Sequence, residues 1–135
     1  MLVHTESVLI PAPADRVFAY VCDPSNLCRW SVNFIFSCEP SSGGRHKVQT
    51  PVGPRELEFA CNKEAGTIDL VFLQGPSVDF AVPTRVVAMG RESSLYLFTV
   101  MLPPQMPASE IEKAKNGLRE ELHLLREQVT AAVSA

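Results

Sequence analysis

The chain has 135 residues, 46% apolar and 20% charged, with a formal net charge of −3 at pH 7. That composition belongs to a folded domain rather than a disordered chain, and a chain of this length buries roughly 68% of the surface it exposes when unfolded. The basic residues are scattered, so the positive stripe that nucleic acid requires is missing, and no apolar run approaches the ~18 residues that cross a bilayer.

At the N-terminus, "MLVHTESVLIP" sets His4 and Glu6 where a signal peptide would carry its apolar run, which makes the cytoplasm the expected location. Residues Val3 to Ile10 alternate as a half-buried strand does, with Val8 and Ile10 on one side. Pro13 suits a first helical turn and Asp15 suits the positive end of a helix. Ala14, Val17, Phe18 and Val21 then share one helical face until Pro24 stops the helix. Asp23 can cap a second short turn, whose inner side holds Leu27 and Trp30.

From Val32 to Leu102 the pattern is a meander of six strands: "VNFIFSCE", "RHKVQT", "RELEFACN", "TIDLVFL", "VDFAVPTRVVAM" and "SLYLFTVML". The turns between them are short, as antiparallel neighbours allow. Pro83, inside the fifth of these strands, requires an edge position or a bulge there. "LPPQMP" ends the strands, and Ser109 with Glu112 reads as a capping box. Ile111, Ala114, Leu118, Leu122, Leu125 and Val129 then form the stripe of a long helix, whose partner must be the sheet. Gly117 interrupts this helix, either to permit a close approach, or to leave room for a ligand, or as a tolerated glycine.

Cys22, Cys28, Cys38 and Cys61 form no C-x-x-C pair and have no histidine at zinc spacing. They are expected to be free, buried thiols, without a disulfide and without a metal.

Turn lengths predict the register. If "QGPS" and "GRES" are both four-residue loops, Asp69 lies opposite Val82, Thr84 opposite Thr99 and Val86 opposite Leu97. One face then carries Asp69, Val71, Leu73, Val82, Thr84, Val86, Leu95, Leu97 and Thr99, an aliphatic lining with a few polar groups suited to an apolar ligand. A one-residue bulge would invert the assignment. On that face Asp69 is a polar anchor or an acid of raised pKa, or else a group bonded to its neighbours. His46 is expected inward with Val48, which would bring it near Asp69, whereas Leu57, Phe59 and Cys61 turn Glu56 and Glu58 to water. Trp30 packs in the core or meets a ligand, and Phe34, Phe36, Phe59, Phe72 and Phe98 are core residues first and pocket walls second.

The order of elements, together with "IPAPADRVFAYVCDP" (Ile10 to Pro24), Trp30, "GTID" (Gly66 to Asp69), "VPTRVV" (Val82 to Val87) and "LREELHLLR" (Leu118 to Arg126), resembles the START/Bet v 1-like (SRPBCC) superfamily. The specific likeness is to its bacterial polyketide cyclase/dehydrase-like branch, and it covers essentially the whole chain. The resemblance implies an α+β helix-grip fold spanning residues 1–135 as a single domain. A curved seven-stranded antiparallel sheet would wrap around the long C-terminal helix, and two short helices after the first strand would close one end.

It also implies a cavity between sheet and helix for a small hydrophobic or aromatic molecule, lipid- or polyketide-like. Trp30, Asp69, Val71, Thr84, Val86, Leu97, Thr99, Leu118 and Leu122 are the expected lining. No cofactor and no nucleic acid are expected, and the protein is a monomer or a homodimer. Two alternatives stay open. One is cyclase or dehydrase chemistry with His46 and Asp69 as acid–base groups and Thr84 and Thr99 positioning the substrate. The other is a chaperone-cofactor or protein-interaction module. No nucleophile elbow, phosphate loop or metal spacing supports hydrolase, kinase or dehydrogenase chemistry.

Overall fold

The computed structural model describes residues 2–134. Seven strands form one antiparallel sheet: β1 (Leu2–Ile10), β2 (Ser37–Pro40), β3 (His46–Thr50), β4 (Gly53–Asn62), β5 (Thr67–Gln74), β6 (Ser77–Ala88) and β7 (Ser94–Leu102). Their order across the sheet is β1-β7-β6-β5-β4-β3-β2, a meander closed by pairing of the first strand with the last. Between β1 and β2 lie α1 (Ala14–Cys22), a one-turn 3-10 helix (Pro24–Asn26) and α2 (Leu27–Trp30), and α3 (Ala108–Ser134) ends the fold. This is the helix-grip architecture, with the curved sheet around the long helix.

The local signals act as expected in α1. Pro13 precedes the helix, Asp15 sits in its first turn, and Val17, Phe18 and Val21 are buried. Asp23 adopts an extended conformation ahead of Pro24, and its carboxylate accepts from the Ser25 N–H at 3.0 Å. Leu27 and Trp30 are both buried. The long helix starts at Ala108, one residue ahead of the expected Ser109 cap, with the Pro107 carbonyl accepting from the Ile111 N–H.

The first strand of the expected meander is shorter than its sequence suggests. Residues 31–36 form a loop, because the Ser31 carbonyl accepts from the Phe34 and Ile35 N–H groups and the Asn33 N–H is taken by α3. These backbone groups are committed away from any ladder, and β2 begins only at Ser37.

Register is where sequence and structure part. The Gln74–Ser77 turn does set Leu73 opposite Val78, but β6 then carries one extra residue and Phe72 pairs with Phe80. Beyond this bulge Asp69 lies opposite Pro83, not Val82. The β6–β7 connection takes five residues, closed by a 2.8 Å bond from the Met89 N–H to the Ser93 carbonyl, so Thr84 faces Phe98 and Val86 faces Tyr96. The buried, concave face therefore reads Ile68, Leu70, Phe72, Thr84, Val86, Tyr96 and Phe98. Asp69, Val71, Leu97 and Thr99, expected inside, lie on the convex face. Each one-residue slip exchanges the two faces of a strand.

Pro83 explains where the β6–β7 ladder stops. Counting from the Met89–Ser93 pair, bonded pairs recur at Val87–Leu95 and Arg85–Leu97, and the next would join Pro83 to Thr99. Proline has no N–H to give there. The pairing ends at Thr84–Phe98, and residues 77–83 are left unpaired on their β7 side.

The cysteine expectation is also corrected. Cys22, at the end of α1, is disulfide-bonded to Cys61 near the end of β4, with Cα atoms 6.6 Å apart, while Cys28 and Cys38 are free. The two partners are 39 residues apart in sequence. Only the packing of α1 against the end of the sheet brings them together, so spacing carries no trace of the pair. Gly66 marks another close approach. It has φ of 74° and accepts from the Val86 N–H at 2.8 Å, and a Cβ there would collide with the Val86 carbonyl oxygen.

The core lies between the concave face and the helices. Leu118, Leu122, Leu125 and Val129 of α3 are buried against Val8, Ile10, Tyr96 and Phe98, and α3 runs nearest to β1. The Arg119 guanidinium holds Glu6 of β1 at 3.0 and 3.2 Å, fixing the helix to that edge of the sheet.

Candidate functional site

The grip helix covers only part of the concave face. Along β1 and β7 its leucines fill the space, and α1 closes the end where Ser94 donates to the Ala12 carbonyl at 2.7 Å. On β3 to β6, Val48, Leu57, Ile68, Leu70 and Phe72 are buried, His46, Phe59, Phe80 and Val82 are half-buried, and the 31–36 loop adds Phe34 to the wall. Phe72 and Phe80 stack with ring centres 4.7 Å apart, and Phe34 meets Phe72 edge-on at 6.1 Å. Phe34 is 40% exposed and Phe36 59% exposed. His46 and Phe59, 6.4 Å apart, continue this wall. The result is an aromatic mouth that stands partly in water although its walls are apolar.

Within the core, several polar atoms have no protein partner. Trp30 and Tyr96 are fully buried and meet edge-on, 6.1 Å between ring centres, and Trp30 also stands edge-on to Phe98 at 6.2 Å. Neither the Trp30 Nε1–H nor the Tyr96 hydroxyl has a hydrogen-bond partner, and His46 Nδ1 is likewise unpartnered. Burial pushes the Tyr96 phenol far above its usual range, with Thr84 beside it opposing the shift. The Thr84 hydroxyl itself donates to the Ile68 carbonyl at 2.6 Å. Buried polar groups of this kind cost free energy until something accepts from them.

The helices that frame the site are tied together by polar contacts. The Tyr20 hydroxyl of α1 donates to Gln128 of α3 at 2.5 Å, and the Gln128 amide donates to the Arg29 carbonyl of α2 at 2.6 Å. Nearer the mouth, the Asn33 N–H donates to the Glu121 carboxylate at 3.0 Å, and its side-chain amide donates to the Gly117 carbonyl at 3.0 Å. A Cβ on residue 117 would sit 3.4 Å from that amide. That is an ordinary van der Waals distance, so the Asn33 contact does not by itself require a glycine here. Glu121 is buried at 5% exposure, and desolvation raises its pKa from 4.5 to about 7, against the Asn33, Ser31 and Phe34 groups that favour its charge.

Of the residues predicted for a site, the fold gathers Trp30, Thr84, Val86, Leu118 and Leu122 on the inner side. His46 is also there, paired with Leu57 across the β3–β4 ladder. Asp69 lies on the opposite face, paired with Pro83, so the two do not form an acid–base couple. Val71, Leu97 and Thr99 lie outside with it, and the Thr99 hydroxyl is hydrogen-bonded to that of Thr5 at 2.8 Å. Sequence reasoning missed Tyr96 and Glu121. Tyr96 would have followed from a five-residue "MGRES" loop. Glu121 is in phase with Leu118 and Leu125, a charge on the apolar stripe that periodicity alone could have flagged.

Two open clefts lie elsewhere. One is lined by Lys47, Gln49, Arg55 and Asp79, the other by Asn116, Arg119, His123 and Glu127 on the outer side of α3. Among the described residues no cluster of three His, Cys, Asp or Glu side chains could hold a metal, and no helix is long and apolar enough to cross a membrane.

Residues 1–86 match the family model described as polyketide cyclase / dehydrase and lipid transport. No curated protein matches the chain. Among solved structures, the fold is similar to the ZhuI aromatase/cyclase from Streptomyces sp. R1128, at 12% identity and a TM-score of 0.73 over 98% of this chain and 95% of that one. A START superfamily protein from Mycobacterium smegmatis matches at 16% identity and a TM-score of 0.69, covering 96% and 98%. A conserved protein from Geobacillus kaustophilus matches at 14% identity and a TM-score of 0.75, covering 97% of each chain. At these identities the likeness is one of fold.

Proposed function

The chain belongs to the polyketide cyclase/dehydrase and lipid-transport family, and on that premise we propose that it binds a small hydrophobic or aromatic molecule, lipid- or polyketide-like, through the aromatic mouth between sheet and α3. One observation carries the reading: two fully buried polar groups on the inner side of the sheet, Trp30 Nε1–H and the Tyr96 hydroxyl, have no hydrogen-bond partner. A ligand carrying an oxygen acceptor at its inner end would satisfy them, while Phe34, Phe72 and Phe80 would contact its apolar body. Thr84, Val86, Leu118 and Leu122 serve as lining in this reading. Asp69, Val71, Leu97 and Thr99 do not.

A cyclase or dehydrase activity is the second reading, and His46 is the residue that favours it. Its Nδ1 is buried and unpartnered on the concave face, so it alone of the two expected acid–base groups could reach a bound molecule.

The test is native mass spectrometry of protein purified from its own host, followed by denaturing extraction. A co-purifying apolar or aromatic compound with an oxygen acceptor is the expected result. Its affinity should fall about tenfold in a folded Tyr96→Phe variant, the equivalent of one buried hydrogen bond. If the protein carries nothing and Tyr96→Phe binds candidate ligands as wild type does, the reading fails, and a partner protein becomes the better candidate.

A further inference from the structure

We propose that β1 is the interface of a symmetric dimer, pairing through its free edge with β1 of a second copy of this chain. The interface lies on the outer edge of the sheet and does not depend on what the concave face binds.

The two edges of the sheet are unlike. β2 is four residues long and ends in Glu39 and Pro40, both exposed, which is an ordinary protection of an edge against further pairing. β1 is nine residues long, pairs with β7 from Leu2 to Ile10 without a bulge, and contains no proline and no lysine. Leu95 and Leu97 of β7 bond to β6, so the even residues of β7 turn to β1 and bond its even residues. The N–H and C=O groups of Val3, Thr5, Ser7 and Leu9 therefore point away from the sheet. Among the described residues, no backbone hydrogen bond from another element engages them. The long helix meets β1 from the concave side, through core packing on Val8 and Ile10 and through the Arg119–Glu6 pair.

This parity confines the register. Only odd residues face outward, so odd must pair with odd across a two-fold axis. With Thr5 on the axis, Val3 bonds Ser7 of the second copy, Thr5 bonds Thr5 and Ser7 bonds Val3, each pair exchanging two N–H···O bonds. The even residues between them set His4 opposite Glu6 of the second copy, and Glu6 opposite its His4. An axis at Glu6 would oppose two carboxylates, and one at Ser7 would set Glu6 against Val8 and His4 against Ile10. An axis at His4 leaves only two bonded pairs. The strand is complementary to itself about Thr5.

The side chains agree with this pairing. His4 Nε2 is buried without a hydrogen-bond partner, 3.6 Å from Glu6 of its own strand. Opposed side chains in such a pair have Cβ atoms about 5 Å apart, within reach of a bond from imidazole to carboxylate. Val3 is 58% exposed and Leu2 41% exposed, and they would lie against Ser7 and Val8 of the second copy. The two-fold closes on itself and β2 offers no second open edge, so a dimer forms and not a fibre. One strand pair buries less than the roughly 1,000 Å² of a tight interface, so the association is reversible.

Sedimentation equilibrium of wild type at increasing concentration should show a reversible rise from 14.8 kDa towards twice that mass. Over the same range, hydrogen exchange followed by NMR should slow at the Val3, Thr5 and Ser7 amides. The His4, Glu6 and Val8 amides, already bonded to β7, should not change. Ser7→Pro removes an outward N–H and leaves the ladder to β7 intact. It should melt as wild type does and weaken the dimer about tenfold or more. If Ser7→Pro fails to fold, Val3→Pro, near the start of the strand, takes its place. A mass of 14.8 kDa at every concentration would overturn the dimer. A dimer that the folded proline variant leaves untouched would overturn β1 as its interface. Protection that appears at Thr5 and Ser7 but spares Val3 would overturn the axis at Thr5, and with it the His4–Glu6 pairing.

Discussion

The two halves of the concave face are built from the same strand chemistry and covered in different ways. Along β1 and β7 the cover is a regular helix whose leucines enter at fixed spacing, and Leu118, Leu122, Leu125 and Val129 are all buried there. Along β3 to β6 the cover is an irregular loop, and it leaves Phe34 and Phe36 partly in water. The first half is a core in the ordinary sense. The second pays for its openness in exposed aromatic surface, which a stable domain gains nothing from unless something docks there. Regular helix packing and exposed aromatic surface thus lie on different parts of one sheet.

That division can be broken from either side. The largest effect is expected from Leu122→Asp, which sets a charge in the helix-covered half and should cost about 4 kcal/mol or more, enough to unfold a domain of this size. A thermal melt by circular dichroism close to that of wild type would mean that α3 does not carry the core. Next comes the staple between the halves, since Cys22 belongs to α1 and Cys61 to β4. Replacing both by serine should cost about 4 kcal/mol in urea titrations under oxidising conditions, from the loop that the bond closes. With reductant added, wild type and variant should unfold together; a difference that survives reduction would place the effect in packing. The smallest effect on folding is expected from Phe34→Ala, under about 1 kcal/mol because the ring is already part-exposed. The same variant should weaken anilinonaphthalene sulfonate binding several-fold. A large loss of stability with unchanged binding would make the open half an ordinary core and end the contrast.

Much of the fold was legible in the sequence because its signals are local. Pro13 and Pro24 bound α1, Asp23 caps the turn after it, and Leu118 to Val129 mark the grip helix by spacing alone. Even the end of the β6–β7 ladder was foreshadowed by Pro83, whose missing N–H is a property of the residue itself. The candidate site was legible only in part. His46, Trp30, Thr84 and Val86 were placed inward correctly. Asp69 and Leu97 were not, because one extra residue in β6 and one in the β6–β7 loop each turned a strand over; Pro83 signals an irregularity in β6 but not its position, and nothing local signals the longer loop.

What the sequence determined by itself is therefore the set of elements, their order and the apolar side of most of them, since periodicity and the φ and N–H constraints of proline and glycine act within a few residues. Only the tertiary structure decided which polar groups meet. The Cys22–Cys61 bond, the Asn33–Glu121 clasp and the unpartnered pair of Trp30 and Tyr96 each join residues 39 or more apart. Contacts at that range depend on strand register and on the angle at which α3 crosses the sheet, and both are set by the packing of the whole core rather than by any stretch of chain.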